Sequence, residues 1–511
     1  MGGIILVSKL MGLARDVLTA RAYGTTELAI AYETASKLPL TIFDFVLGSV
    51  VTSAFIPIYN SLSVKRGRDE ALRFLSSYMN LILILTSAIT LFGEIAAPWL
   101  VRFIAPELAE ATSALAVSLT RIMFPMVIFV GIAFTFVGFL QSEGEYNLPA
   151  VISLVSNVIM CTYLLTMSDK FGVYGLAVAM LIGWSAQAAV QLPTALKKGL
   201  RYSPTSPINT PEIARAAKNT VPILLSTWTT PLCSLINTRI ASGIEGGRAI
   251  TALGYANKLY IIIVGLFSFV ATNLLFPYFS KSAAEGNRAE ADRLTRVSVR
   301  TLSFIIAPIS VGVAVLAVPF ITLIYENGSF THSDTVLTAQ ALSCYAVGMI
   351  FSAVNEVLTK AFFAAEENKI PMYASVAAMA VNIAAVALFG SHLDTGGVAL
   401  ITSAVSAVNM AINLAFALKK GLITYDRSDT ADIVKSVLCA LVMGAAVYLF
   451  AKHISLGSRI AALAVPTLVG VAVYAAAVLI AGSTEMKALT GNVTASVIKL
   501  KKKKGGGEKN D

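Results

Sequence analysis

Charged residues are scarce in this 511-residue sequence: Asp, Glu, Lys and Arg make up only 13% of it, whereas 56% of its residues are hydrophobic. A soluble domain carries charge at nearly twice that level, roughly 25%. So few charges cannot cover the surface of a water-soluble globule, and the mean hydropathy of +0.75 points the same way. We therefore expect an integral membrane protein, because this length accommodates a dozen or more spans of about 20 residues.

Cysteine and histidine are also scarce, and enzyme motifs are missing. The four cysteines lie far apart with no CxxC pair, and none of the three histidines has a partner at metal-ligand spacing. A disulfide framework and a metal site are therefore not expected. The sequence has no Walker A motif, nucleophile elbow or paired carboxylates suited to hydrolysis, which argues against an enzyme and against ATP-driven transport by this chain alone. We expect no cofactor; membrane potential or a coupled monovalent ion remains open as the energy source.

Apolar stretches long enough to cross a membrane recur along the chain. Strands are excluded because an open sheet edge cannot lie in lipid and the ten-residue alternation of a barrel is missing. The sequence therefore predicts an all-α, polytopic membrane protein with about fourteen transmembrane helices. We place them at about 3–23, 30–58, 76–104, 112–140, 148–167, 172–195, 218–240, 250–278, 300–325, 336–364, 371–390, 396–418, 432–452 and 458–482.

Loop charge predicts the orientation of these helices. The odd-numbered connections hold mainly acids or little charge, whereas the clusters of basic residues all lie in even-numbered connections, at Lys65–Arg73, Lys197–Lys218, Lys281–Arg296 and Lys419–Arg427. Because basic loops stay in the cytoplasm, both termini are predicted to be cytoplasmic. The net charge of +10 is then explained by these loops and by a basic tail at 499–511, not by nucleic-acid binding.

The sequence repeats itself at an offset of about 221 residues. Residues 37–57 read KLPLTIFDFVLGSVVTSAFIP and residues 258–277 read KLYIIIVGLFSFVATNLLFP. The same offset pairs Pro98-Trp99 with Pro319-Phe320, and nearly the same one pairs Pro149 with Pro371. We infer two six-helix lobes in parallel pseudo-two-fold repeat, as in parallel-repeat transporters. The predicted domains are the lobes at 1–200 and 212–420, an extra helix pair at 430–485 and the tail.

Charged residues lie inside the first predicted span. Arg15 and Asp16 are near its middle, where a charge costs about 2.5–3.5 kcal/mol or more, and Lys9 and Arg21 lie in the same span. Adjacent helical residues point about 100° apart, so Arg15 and Asp16 cannot fully satisfy each other. We expect these charges to face a wet cavity; the alternatives are a misplaced helix or a self-neutralising pair. Arg239 ends the seventh span as Arg21 ends the first, and either side chain can snorkel outward.

The second predicted span adds Glu33, Lys37 and Asp44. Glu33 and Lys37 form an i,i+4 pair, and Lys37 and Asp44, seven residues apart, share a face. Lys258 occupies the repeat position equivalent to Lys37. Matching cations suit an anion held on the pseudo-two-fold axis, with snorkelling as the alternative. The predominance of cations indicates an anionic substrate, and phosphate oxygens suit the fork of an Arg side chain.

At these residues the sequence resembles the MurJ (MviN) lipid II flippases. The segment SKLMGLARDVLTARAYG, from Ser8 to Gly24, is similar to the opening motif of that family. The resemblance continues through KLP, AFIPIY, LTRIMFPMVIF, ALGYANKLY, FPYFSKSAAEG, YENGSFT and AFFAAEENKIP, and it covers about residues 5–420. The family belongs to the multidrug/oligosaccharidyl-lipid/polysaccharide exporter superfamily, whose members have two six-helix lobes; this family adds a hydrophobic helix pair.

The resemblance implies a function and a site. The implied function is to move lipid II, the lipid-linked peptidoglycan precursor, from the inner to the outer leaflet of the bacterial cytoplasmic membrane by alternating access. Its partners are then lipid II and membrane lipids, with no nucleic acid, and we expect a monomer. Carried over by position, the pyrophosphate-binding cations are Lys9, Arg15 and Lys258, with Asp16 as the acidic neighbour and Asn257 where members have an acid before the eighth-helix cation.

This sequence departs from the family pattern in its second helix. Ile30 replaces an Asp of many members, Phe43-Asp44 replaces an Arg pair, and Gly48 replaces an acid. The second-helix part of the family's site therefore cannot be transferred. The chain also starts close to the opening motif and has no cleavable signal; either the family's N-terminal extension is missing or the start is truncated.

Four other functions remain to be weighed. An exporter of another polyprenyl-linked oligosaccharide is the nearest alternative. An exporter of cationic drugs needs an acidic cavity, which the basic residues here disfavour. A polyprenyl-phosphate glycosyltransferase needs paired acids on a cytoplasmic loop, and none is evident in the sequence. The intact intramembrane charges disfavour a non-transporting scaffold.

The predicted topology is testable with single cysteines and membrane-impermeant thiol reagents applied to whole cells. We expect a cysteine near Lys65 to be shielded and one near Asp334 to be labelled, because the first lies in a basic loop and the second does not. The opposite labelling pattern contradicts the topology.

Overall fold

The computed structural model of the chain describes residues 2–46, 55–204, 206–207, 210–214, 228–270, 275–424, 426–454 and 457–486. Within these ranges every long element is an α-helix and no strand is present. The predicted tail at 499–511 and parts of the second, seventh and eighth predicted spans lie outside the described residues.

The helices are numbered here in chain order. The first eight are α1 (Gly2–Tyr23), α2 (Glu27–Val46), α3 (Ile56–Arg66), α4 (Arg68–Ile104), α5 (Glu110–Met123), α6 (Met126–Ser142), α7 (Asn147–Thr166) and α8 (Ser168–Lys197). The others described are α9 (Thr229–Ala241), α10 (Arg248–Val270), α11 (Phe276–Ala284), α12 (Arg288–Val315), α13 (Ala317–Ile324), α14 (His332–Ala364), α15 (Lys369–Phe389), α16 (Thr395–Lys420), α17 (Arg427–His453) and α18 (Arg459–Ile480).

The prediction of an all-α membrane protein is confirmed. Each of the fourteen predicted spans overlaps a described helix. Nine helices in the described part of the chain are long and apolar enough to cross a membrane, and α5 and α6 together form a tenth, bent by 41°. Helices suit this role because they satisfy their backbone hydrogen bonds internally. The number of fourteen itself stays a prediction.

Two predicted spans are broken where the sequence pattern is continuous. The span predicted at 112–140 is divided between α5 and α6 by Phe124 and Pro125. Pro125 lacks a backbone N–H, and its ring clashes with the preceding turn of a helix. The span predicted at 300–325 is divided between α12 and α13 at Leu316. Pro319 follows within the first turn of α13, where proline is tolerated.

The helix order repeats at the offset found in the sequence. The helices α10, α11, α12, α14 and α15 each begin 220 to 222 residues after α2, α3, α4, α5 and α7. Two tight turns repeat as well. Gly199 and Gly421 have φ of 82° and 68°, and Gly144 and Glu366 have φ of 78° and 60°. The positive φ of Glu366, which is unfavourable for a residue with a Cβ, marks it as the counterpart of a glycine.

The chain forms two compact units. Unit 1 comprises Met1–Lys258, Ile324–Ala341 and Ser375–Ile401, and unit 2 comprises Leu259–Leu323, Leu342–Ala374 and Thr402–Asp511. The predicted lobes at 1–200 and 212–420, and the helix pair at 430–485, divide the sequence by its repeat and stay predictions.

In unit 2, α17 and α18 pack on α12 through both apolar and ionic contacts. The hydroxyl of Tyr474 donates to the carbonyl of Phe304 at 2.7 Å within a buried apolar cluster. One to two turns nearer the N-terminus of α12, the guanidinium of Arg296 lies 2.9 Å from Asp429, and Arg300 lies 2.7 Å from the same carboxylate. The peptide N–H of Ser428 also donates to the exposed Asp426 carboxylate, which lowers the pKa of Asp426.

The contact between α12 and α17 depends on a glycine. A Cβ added at Gly444 would lie 2.4 Å from Cγ1 of Val311, whereas one added at Gly312 would meet only the Met443 methyl at 3.9 Å. We therefore expect Gly444→Ala to lower the free energy of unfolding by about 1–3 kcal/mol through overpacking. Gly312→Ala, in the same pair of helices, should leave it unchanged or raise it slightly. Thermal unfolding in detergent measures both, and equal midpoints for the two variants contradict this packing.

Candidate functional site

The charges predicted in the first span make specific contacts. Two N–H groups of Arg15, on Nε and Nη2, donate to one Asp16 oxygen at 3.2 and 2.9 Å. The remaining end of the guanidinium, Nη1, donates at 3.0 Å to the side-chain oxygen of Asn157 on α7. Asp16 is buried. As expected, Arg15 is not satisfied by Asp16 alone, and its second acceptor comes from a helix far away in sequence.

Glu33 on α2 lies between two lysines at equivalent positions of the repeat. Nζ of Lys258, on α10, is 3.1 Å from Glu33 Oε2, and Nζ of Lys37 is 3.8 Å from Oε1. Lys258 is also 3.7 Å from Asp16, so it connects the α1 pair to the α2 pair. The predicted i,i+4 pair of Glu33 and Lys37 is present. The anion that the two equivalent lysines share in this structure is a carboxylate of the chain itself.

A glycine, a tyrosine and a threonine lie next to these charges. A Cβ added at Gly254, one turn before Lys258, would lie 2.7 Å from Glu33 Oε1, so only glycine allows this close approach. The ammonium of Lys258 also lies 5.2 Å from the ring centroid of Tyr255, at cation–π distance. Lys37 donates to Thr238 Oγ1 at 3.4 Å. Helices α1, α2, α7, α9 and α10 thus all contribute to one cluster.

We call this group the charge cluster; it consists of Arg15, Asp16, Glu33, Lys37, Lys258 and Asn157. Its three cations and two carboxylates leave one net positive charge. The side chains of the three cations are 21–29% exposed, so none of them is fully buried. Charged groups in a membrane protein mark substrate or ion pathways when they face a cavity. An incoming anion can replace the carboxylates of Asp16 and Glu33 as the partner of the three cations.

The other predicted site residues lie outside the charge cluster. Lys9 is exposed on α1 and makes no ion pair within the described residues. Asp44 is exposed on α2, and Asn257 is half-buried next to Lys258. Arg239 donates to the carbonyl of Phe103 at 2.5 Å, and its guanidinium lies over the Phe103 ring.

Arg21 belongs to a second group at the turn between α1 and α2. Its carbonyl accepts from the N–H of Ser329 at 2.8 Å. Nearby, the Asp334 carboxylate lies 2.7 Å from Arg248 and accepts from the hydroxyl of Thr25. We call these five residues the end cluster. Thr25 is eight residues before Glu33, which is about 12 Å along a helix.

Asn157, Thr238 and Gly254 were not predicted from the sequence. Asn157 is a buried amide within an apolar span, and that signal was available, because a buried polar group needs a hydrogen-bond partner. Nothing in the sequence identifies Thr238 or Gly254 as part of the site, because their roles depend on which helices pack together in the fold. Among the described residues no group of His, Cys, Asp or Glu side chains is arranged to hold a metal ion.

Known proteins resemble this chain over most of its length. The model of the family described as "Lipid II flippase MurJ" matches residues 19–469. A "Probable lipid II flippase MurJ" of Rhizobium meliloti is 28% identical, over 88% of this chain and 85% of that protein. A "Lipid II flippase MurJ" of Burkholderia cenocepacia is 26% identical, over 74% of this chain and 75% of that protein.

Solved structures show the same fold. A lipid II flippase MurJ in an inward closed conformation matches with a TM-score of 0.81 and 23% identity, over 94% of this chain and 98% of that one. An inward-facing multidrug resistance MATE family transporter of the MOP superfamily matches with a TM-score of 0.69 and 15% identity, over 81% and 94%. With the family model matched across most of its residues, this chain belongs to the lipid II flippase MurJ family.

Proposed function

We propose that this chain is a lipid II flippase, which moves the lipid-linked peptidoglycan precursor from the cytoplasmic to the outer leaflet of the bacterial cytoplasmic membrane for cell-wall synthesis. One observation carries the proposal beyond family membership: two lysines at equivalent repeat positions, Lys37 and Lys258, hold a single carboxylate between them. The site is thus built to hold an anion from both sides.

The chemistry of the charge cluster fits a pyrophosphate. Lys37 and Lys258 are point charges able to contact two phosphate groups, and Arg15 adds a planar fork that binds phosphate oxygens in pairs. Three cations suit a diphosphate diester better than a sugar or a cationic drug, because neither of these carries the negative charge that the cations attract. A site between repeats is also where parallel-repeat transporters bind their cargo.

Glu33 and Asp16 serve as counter-ions while no cargo is bound. Removing one partner from a buried ion pair is strongly destabilising, because the other charge is left uncompensated. The pyrophosphate therefore replaces Glu33 between the two lysines, and Glu33 returns as the cargo leaves. This exchange weakens net binding, and a transporter needs that, because a site that binds too tightly cannot release its cargo.

Alternating access supplies the movement between leaflets. The end cluster joins the α1–α2 turn to the first turn of α14 through Asp334, Arg248 and Thr25. We propose that these contacts close one side of the pathway and open as the cargo leaves. Lys9, about 9 Å from Arg15 along α1, is proposed as a separate contact for the passing headgroup.

The remaining features of the proposal concern topology and energy. Both termini are proposed to be cytoplasmic and the protein to act as a monomer. Membrane potential or a coupled monovalent ion supplies the energy. The charge cluster recognises a diphosphate and not a saccharide, so another polyprenyl-linked oligosaccharide is the alternative cargo.

Arg15 provides the test of this function in cells. In a strain depleted of its own lipid II flippase, the wild-type chain should restore growth and Arg15→Ala should not, because the fork for phosphate oxygens is lost. Arg15→Lys keeps the charge without the fork and should restore growth only in part. Arg73→Ala, which removes a 79% exposed cation from the same unit, is the matched control. Growth with Arg15→Ala at normal protein level, equal to that of the control, contradicts the proposed site.

Glu33 provides a test in the purified protein. Glu33→Gln leaves Lys37 and Lys258 without their shared counter-ion, and we expect the free energy of unfolding to fall by about 2–3 kcal/mol. Inorganic pyrophosphate should restore part of this loss and should stabilise the variant more than the parent. Glu27→Gln, an exposed acid on the same helix, is the control and should change neither property. If pyrophosphate stabilises parent and Glu33→Gln equally, the counter-ion role is wrong.

A further inference from the structure

The repeat places two groups of residues at equivalent positions, one in each unit. In unit 1 the group is held together by hydrogen bonds around Glu143. The hydroxyl of Tyr59 donates to Glu143 Oε1 at 2.7 Å, and Arg68 donates to Oε2 at 2.9 Å. Nζ of Lys198 donates to the Glu143 carbonyl at 3.3 Å. A hydroxyl, an arginine and a lysine are thus all held by one acidic residue.

The backbone fixes which residues of unit 2 correspond to these. The turn at Gly199 has its counterpart at Gly421, so Lys198 corresponds to Lys420. The turn at Gly144 has its counterpart at Glu366, so Glu143 corresponds to Ala365.

The other two correspondences follow from the helix starts. Arg68 and Arg288 are the first residues of α4 and α12. The same offset of 220 residues pairs Tyr59 with Phe279. Unit 2 therefore keeps both cations, but it has lost the carboxylate that binds the arginine in unit 1 and the hydroxyl that donates to that carboxylate.

The consequence is an open cleft in unit 2. It has a volume of about 490 Å³, and its lining includes Phe279, Arg288, Ala365 and Lys420. Arg288 makes no ion pair within the described part of the chain. Lys420 is 2.8 Å from Glu367, whose side chain is 39% exposed, and this exposed pair is weak. Two cations and one acid leave a net positive charge in the space that a carboxylate occupies in unit 1.

We propose that this cleft binds the phosphate group of an anionic ligand, either an anionic phospholipid headgroup or free phosphate. A phosphate takes the place that the Glu143 carboxylate holds in unit 1, because Arg binds carboxylate and phosphate oxygens with the same fork. The basic segments that carry Arg288 and Lys420 are those predicted to face the cytoplasm, where anionic headgroups attract basic residues. This site is separate from the charge cluster and does not depend on the proposed transport function.

The test rebuilds the unit 1 arrangement in unit 2. In the double variant Phe279→Tyr/Ala365→Glu, the new carboxylate should bind Arg288, as Glu143 binds Arg68, and should fill the cleft beside Lys420. The second variant, Arg288→Ala/Lys420→Ala, removes the cations. The control, Lys281→Ala/Arg293→Ala, removes two exposed cations from neighbouring positions outside the cleft. The charge cluster is intact in all three, so its own affinity for phosphate is common to them.

The measurement is the thermal unfolding midpoint of the full chain in uncharged detergent. It is titrated at constant ionic strength with inorganic phosphate in one arm and with short-chain phosphatidylglycerol in the other. We expect the parent and the control to be stabilised with the same apparent Kd. Both cleft variants should need at least about tenfold more ligand, equivalent to about 1.4 kcal/mol. A response to phosphate in the first arm identifies free phosphate as sufficient, and a response confined to the second arm identifies a lipid headgroup. If the cleft variants respond as the parent does, or the parent responds in neither arm, the proposal is wrong.

Discussion

Three cations and two carboxylates share a small volume within unit 1, and the rest of the site depends on how they neutralise one another. A charge inside a membrane-spanning helix is costly without a partner of opposite charge. The helices that carry these charges must therefore stay together. Glu33 is central to this arrangement because it faces both Lys37 and Lys258. Gly254 gives it room, and Asn157 completes the partners of Arg15. The same interactions that hold the helices also prepare a place for an anion.

The internal repeat gives a physical reason for this symmetry. Lys37 and Lys258 descend from the same position of the repeated unit, and each has kept its cation, whereas the acid between them comes from α2 alone. In the function proposed above, a pyrophosphate contacts both lysines with its two phosphate groups, and the single carboxylate of Glu33 is the weaker counter-ion. Exchange between the two then favours entry of cargo without preventing its release.

Much of the site was readable from the sequence, and the reasons for the rest are physical. The i,i+4 pair of Glu33 and Lys37 and the equivalence of Lys258 follow from helix geometry and from the repeat. The contact between Arg15 and Asn157 joins residues 142 positions apart and depends on how α1 packs on α7. The resemblance named both Lys9 and Arg15 as site cations; in the structure Arg15 joins the charge cluster and Lys9 is exposed, and the role of Lys9 stays a prediction. The helix breaks at Pro125 and Leu316 were hidden within continuous apolar runs.

Leaflet accessibility of lipid II, in cells that depend on this chain, tests most directly whether Lys37 and Lys258 bind the pyrophosphate. Lipid II exposed on the outer leaflet is detected with an impermeant reagent, for the wild-type chain and for Lys37→Ala/Lys258→Ala at equal protein level. We expect outer-leaflet lipid II with the wild type and its loss with the double variant, because no pair of cations remains for the pyrophosphate. Equal exposure of lipid II by both chains contradicts the proposed site.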